Sequence, residues 1–158
     1  MGDADSTLPD AVHQRITALC DQGDALMDRR SYGEAMEIFL KALELVPEPR
    51  TRWEAGNWIY TALGEACYLR KDWPAAREYF RLAVLSPGGA GNPFLHMRRG
   101  QVFLEMGETD RAAQELAIAV ASEGPGILRD EDPKYWKFIS GVLAPPRGGR
   151  KADPGARG

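Results

Sequence analysis

Four positions recur three times along the chain with their spacing intact. Gly23, Ala35, Phe39 and Ala42 return as Gly64, Ala76, Phe80 and Ala83, each 41 positions on, and as Gly100, Ala112, Leu116 and Ala119, each a further 36 on. Leu26, Cys67 and Phe103 keep step with them, three places after each glycine. Offsets kept through three copies mark a repeated unit, and such a unit cannot bury its apolar face alone, so neighbouring copies must stack.

Between these marks the chain reads as helix pairs. Val12, Ile16, Leu19, Leu26 and Met27 have helical spacing, and Arg29 and Arg30 place cations at that helix's negative end. Ser31 with Glu34 has the pattern of a capping box for the next helix, whose buried stripe is Ala35, Ile38, Phe39, Ala42, Leu43 and Val46 and which stops at Pro47. The second unit predicts a helix from about Arg50 to Arg70, then a second one capped by Asp72 with Pro74 in its first turn and running to Leu85. Asn92-Pro93 starts a third pair, split at Gly107, with its second helix over about 109–122. Asp132-Pro133 starts a last short helix, and Trp136 and Phe138 are the expected cover for the open end of the stack.

Two antiparallel helices need small residues where their axes approach, and the first contact of this kind is expected between Gly23 and Ala35. The domain organisation that follows is a flexible segment 1–9, a helical domain 10–143 and a disordered basic tail 144–158. Within the domain lie repeats at about 16–49, 50–91 and 92–125 and a capping helix at about 132–143.

Charge is unevenly spread. Residues 1–50 carry ten acids and five bases, whereas 145–158 carry four bases and one acid. An acidic body argues against a nucleic-acid binder. The longest all-apolar stretch, 116–121, is too short to span a bilayer, and the first residues lack the pattern of a secretory leader. Cys20 and Cys67 both fall in helical patterns and are expected to be reduced, in a cytoplasmic protein.

The repeats resemble the tetratricopeptide repeat. The match runs through Leu19, Gly23, Leu26, Tyr32, Ala35, Phe39, Ala42 and Pro47, and again through Leu63, Gly64, Ala76, Phe80 and Ala83. The third unit is looser, with Leu116 where an aromatic is usual and Gly124 where proline is usual. Seven extra residues separate the first two units, beyond the family's period of about 34. The resemblance implies an all-α, right-handed solenoid of three helix-turn-helix repeats plus a short C-terminal capping helix, with the first helices of successive pairs lining a concave groove.

Carried over position by position, that groove holds Thr17, Cys20, Asp24, Met27 and Asp28, then Trp58, Thr61, Glu65, Tyr68 and Leu69, then Phe94, Met97, Gln101, Leu104 and Glu105, with Arg98 on its edge. The partner-binding candidates among them are Asp24, Met27, Asp28, Trp58, Glu65, Tyr68, Phe94, Met97, Arg98, Gln101 and Glu105. Large apolar anchors interleaved with acids suit a protein or peptide partner that carries basic and apolar residues. A carboxylate clamp of the kind seen in co-chaperones of this class is not expected, because of its places only Arg98 has the right chemistry.

The stretches Trp58-Ile59-Tyr60, Gly89-Ala90-Gly91-Asn92-Pro93-Phe94 and Asp130-Glu131-Asp132-Pro133-Lys134-Tyr135 are similar to small stand-alone bacterial proteins of this class, some of them found beside polymorphic toxin genes. A toxin-neutralising immunity protein is the role this implies. The alternative is an adaptor or chaperone scaffold for a secreted effector or multiprotein complex, and association with a second copy is open to either.

Catalysis is not expected. There is no nucleophile–base signature, no metal-ligand cluster and no cofactor motif, Gly88-Gly89-Ala90-Gly91 lacks the lysine of a phosphate loop, and neither His13 nor His96 has an evident orienting acid.

Overall fold

Three turns of the same construction organise the chain. In the first, the Ser31 N–H donates to the Leu26 carbonyl at 2.9 Å and the Arg30 N–H to that of Met27 at 2.9 Å. Asp72 and Lys71 repeat this on Cys67 and Tyr68 at 2.9 and 3.0 Å, and Glu108 and Gly107 repeat it on Phe103 and Leu104 at 2.9 and 3.0 Å. These are Schellman turns, which satisfy the last carbonyls of a helix and reverse the chain. Leu26, Cys67 and Phe103, in step in the sequence, supply the same acceptor in each.

The computed structural model describes residues 6–145. Among them the chain is all-α, with seven helices and no strand: α1 Asp10–Asp28, α2 Tyr32–Glu44, α3 Glu54–Leu69, α4 Trp73–Leu85, α5 Pro93–Glu105, α6 Thr109–Glu123 and α7 Pro133–Leu143. Each turn joins two helices that pack on each other: α1 on α2, α3 on α4, α5 on α6. The pairs pack in chain order through α2 on α3 and α4 on α5, while α7 lies on α6. The expected flexible segment falls outside the described residues as far as position 5, and the expected basic tail does so from position 146.

At the repeated positions the packing is closer than the sequence predicts. A Cβ on Gly23 would strike the Phe39 ring, one on Gly64 would lie 2.5 Å from the Phe80 ring, and one on Gly100 would lie 2.6 Å from Leu116. The glycine therefore faces the large residue rather than Ala35, its expected partner. Ala35, Ala76 and Ala112 are fully buried beside these contacts.

Local chemistry explains three of the seven helix starts. The Asp72 carboxylate accepts from the Ala75 N–H, the Asn92 amide oxygen from that of Phe94 at 3.0 Å, and the Asp132 carboxylate from that of Lys134 at 3.0 Å. Ser31 is different: its side chain makes no capping bond, and the expected capping box does not form.

The helix expected from Arg50 is also corrected. Arg50–Arg52 form a single 3-10 turn, Trp53 is extended, and α3 begins at Glu54. Two tertiary contacts hold this shape. The Arg50 guanidinium donates from Nε to the Leu43 carbonyl at 3.0 Å, closing α2, and the Arg50 carbonyl sits where a Cβ on Gly56 would be.

At the C-terminal end, a 3-10 turn over Pro125–Leu128 leads into α7. The residues that cover the stack there are Leu128, Tyr135 and Ile139, packed on Met97, Leu116 and Ala119. Phe138 packs at the edge of this cluster, but Trp136 does not close the stack, being 42% exposed.

These contacts fix two expected outcomes in urea unfolding. Gly64→Ala drives a methyl into the Phe80 ring and lowers stability by about 2 kcal/mol. Arg30 and Lys71 sit at φ 62° and 61°, where glycine is unstrained, so Arg30→Gly and Lys71→Gly each raise stability by about 0.5 kcal/mol. A neutral Gly64→Ala, or a destabilising Arg30→Gly, contradicts this account of the turns and contacts.

Candidate binding face and its buried arginine

Helices α1, α3 and α5 open the three pairs, and α1 packs along α3. Helix α3 meets α5 through side chains, and the central one is Arg98. The residue is 9% exposed, with its guanidinium carbon Cζ 4.3 Å from the Tyr68 ring centre and 5.0 Å from that of Phe94. Nε and Nη2 donate to the two oxygens of Glu65, the second at 3.2 Å. Nη1 donates to Glu131 Oε1 at 2.6 Å and to Gln101 Oε1 at 2.8 Å, and the Gln101 amide donates to the same Glu131 oxygen at 2.9 Å. Every polar group here has a partner, the condition under which a buried charge cluster is tolerated. Burial acts to lower the Arg98 pKa, but hydrogen bonds and charge from Glu65 and Glu131 override it and hold the guanidinium still more firmly charged.

A second knot adjoins the first. The Tyr135 hydroxyl, from α7, donates to Glu105 Oε2 at 2.7 Å, Lys134 Nζ lies 2.6 Å from the same oxygen, and Tyr68 reaches the Tyr135 hydroxyl at 3.4 Å. Burial would raise the Glu105 pKa, yet hydrogen bonds from Lys134 and Tyr135 and the ammonium charge bring it below the ordinary carboxylate range. Burial, then the hydrogen bonds with Tyr68 and Glu105 and the charge of the carboxylate, push the Tyr135 phenol well above its usual range.

The candidates from the sequence therefore divide in two. Glu65, Tyr68, Phe94, Met97, Arg98, Gln101 and Glu105 come together, but under the chain's own C-terminal segment. Gln101 has no exposed surface and Met97 almost none, so they support the cluster from within rather than present a face to solvent. Asp24, Met27 and Asp28 lie apart on α1, with both aspartates exposed. Trp58 stands at the far end of α3, 41% exposed, with its ring edge-on to His13 at 5.3 Å. Trp53 donates from its indole N–H to the Pro47 carbonyl at 3.0 Å.

This changes the electrostatics expected from the sequence. Two of the four acids, Glu65 and Glu105, are met by Arg98 and Lys134, so the unbalanced negative charge sits on α1. Partial desolvation against the helix raises the pKa of Asp24, and Asp21 and Asp28 raise it further.

Glu131, Lys134 and Tyr135 were not among the sequence candidates. A faint signal for Glu131 exists: it and Glu65 lie 33 residues on either side of Arg98, close to the repeat period. The orienting acid that sequence did not reveal for His96 is Glu115, 2.8 Å from Nδ1. Nε2 meets the Ala90 carbonyl at 2.7 Å, so both ring nitrogens are engaged and the ring ties the loop before α5 to α6. Among the described residues no group of three potential metal ligands occurs, and no helix is long and apolar enough to cross a membrane. In comparisons with known proteins, no family model matches the chain and no curated protein matches it.

Removing the central cation tests the cluster. Arg98→Met leaves Glu65 and Glu131 facing each other without their shared partner and is expected to cost about 3 kcal/mol in urea unfolding. A loss below about 0.5 kcal/mol would class Arg98 with exposed surface pairs.

The thiols give a second measurement. Both cysteines are free. Burial, then Asp24 and Asp21, raises Cys20 to about 11; burial, then Asp72, raises Cys67 to about 11. Since the thiolate is the reactive form, iodoacetamide at pH 8 is expected to label the folded chain far more slowly than the urea-unfolded one. Equal rates would mean that neither thiol is shielded.

Proposed function

We propose that this chain is a non-catalytic protein-binding module built from three tetratricopeptide repeats, and that its partner lies along the face formed by the first helix of each pair. The observation that carries this reading is threefold. Three helix pairs are joined by turns with the same hydrogen bonds, and each pair closes with a glycine under a large side chain. Stacking identical joints in chain order is how a solenoid forms, and the helices that open its pairs then share one surface. Seven extra residues between the first two repeats are absorbed by the 3-10 turn and the loop before α3, leaving the joint itself unchanged.

The face is graded in charge. Its third-repeat end is filled by Tyr135 and Lys134 of the same chain. Its first-repeat end carries Asp21, Asp24 and Asp28 beside half-buried Met27, and the exposed Leu69 lies on α3. A partner segment that pairs Lys or Arg with apolar side chains fits this end. The filled end illustrates the pairing, since there one glutamate takes a lysine and an aromatic hydroxyl together.

Neutralising a toxin and scaffolding an effector both use such a surface, and stoichiometry tells them apart. An immunity protein forms one tight one-to-one complex that inhibits an enzyme, whereas a scaffold binds several clients with modest affinity.

The test is binding of a labelled amphipathic Lys/Arg peptide, followed by anisotropy. Asp24→Lys with Asp28→Lys is expected to weaken binding at least about tenfold, and rising salt to weaken binding to the native chain. Equal affinity for both forms, or none for either, counts against the α1 end as the docking place. Glu65→Lys is unsuitable here, because it would set a second cation against Arg98 and disturb the fold.

A further inference from the structure

We infer that the opposite side of α5 carries an anion site, independent of the binding face, that takes a phosphate group. The geometry is three arginines gathered on one ring. Arg77 from α4, Arg99 from α5 and Arg111 from α6 place their guanidinium carbons 5.2, 5.7 and 5.7 Å from the centre of Phe103. Phe103 is itself 5% exposed, so the ring forms a floor that holds three cations close together.

Their carboxylate partners number two among the described residues. Glu108 takes Arg77 in a short pair and Arg111 at 3.5 Å. Glu115 takes Arg99 at 3.3 Å, and the oxygen that does so also binds His96. Three guanidiniums therefore share two carboxylates, in a chain whose formal net charge is −3. Arg99 and Arg111 have the long pairs, and these two arginines line a shallow cavity of about 170 Å³ over Phe103, together with Gln114 and Glu115. Each arginine presents five N–H donors, and those of Arg99 and Arg111 exceed what their single long pairs employ.

The ligand chemistry follows from the arrangement. A planar carboxylate is matched by a single guanidinium fork. A tetrahedral oxyanion offers oxygens in several directions and suits donors arriving from more than one helix. Phosphate, free or carried on a phosphorylated side chain, can take the spare donors of Arg99 and Arg111 and leave the short Arg77–Glu108 pair in place.

Thermal unfolding with inorganic phosphate, against sodium chloride at equal ionic strength, tests the inference. At about ten times its Kd, phosphate is expected to raise Tm by about 4 °C. Arg99→Gln with Arg111→Gln is expected to weaken binding at least about tenfold, and Arg111→Gln alone to weaken it less than the double variant does. Arg81→Gln, which removes an exposed pair with Glu78 on α4, should leave the phosphate effect unchanged. A phosphoserine tripeptide, compared with its unphosphorylated form, extends the test to a carried phosphate, and protection by either phosphate form supports the site. No stabilisation beyond chloride by either form, or equal stabilisation of the double variant, overturns it. Helicity by circular dichroism confirms that the variants are folded, and Arg111, with 58% of its side chain exposed, tolerates substitution.

Discussion

The contact on which the rest depends is a large side chain seated on a bare glycine backbone, made three times. Phe39 over Gly23, Phe80 over Gly64 and Leu116 over Gly100 bring the two helices of each pair too close for any side chain at the glycine. Interiors packed this tightly transmit shape rather than absorb it. The approach distance sets where the Schellman turn must reverse the chain, and the turn sets the phase of the next helix. A buried alanine then falls at the same place in each pair. Two of the three turns use Arg30 and Lys71 at positive φ, so the joint is kept even at the cost of backbone strain.

That joint decides which side chains can meet between pairs. With α3 and α5 held side by side, Glu65 and Arg98 are brought together across the repeat boundary. Arg98 then recruits Glu131, and with it the segment that leads into α7. A buried arginine with two carboxylates is weak as a source of stability but strict in geometry, because any shift leaves a charge unmatched. The C-terminal helix is thereby fixed against the face that opens the repeats, and its Lys134 and Tyr135 claim Glu105. The apolar contacts of Tyr135 and Ile139 supply the adhesion, and the charges supply the register.

Legibility in the sequence followed the range of the interaction. The glycine, alanine and large-residue offsets were readable because each copy repeats one local construction. Asp72, Asn92 and Asp132 were readable as caps because their bonds lie within three residues. The start of α3 was not, since the packing of Arg50 on Gly56 and the end of α2 overrides the helical pattern there. Tyr135 and Trp136 are adjacent aromatics, and composition cannot say which one turns inward; the docking of α7 on α6 chooses Tyr135. Arg98 was placed at the edge of the face by its repeat position alone. It becomes the centre only through Glu131, whose approach no local pattern encodes, and the same holds for Glu115 beside His96.

Helix α5 joins these observations, because its two sides carry opposite imbalances. Arg98 and Phe103 are five residues apart, about 140° around the helix. On one side two carboxylates surround a single guanidinium; on the other, three guanidiniums share two carboxylates. Each set is drawn from different neighbours, α3 and the segment before α7 in the first case, α4 and α6 in the second. The first set is closed over by the chain's own C-terminal segment, whereas Arg99 and Arg111 of the second line an open cavity. The two clusters share no residue, so an anion at the site proposed beside Phe103 leaves the ion pairs of Arg98 in place, the two sets being coupled only through the rigidity of α5 itself.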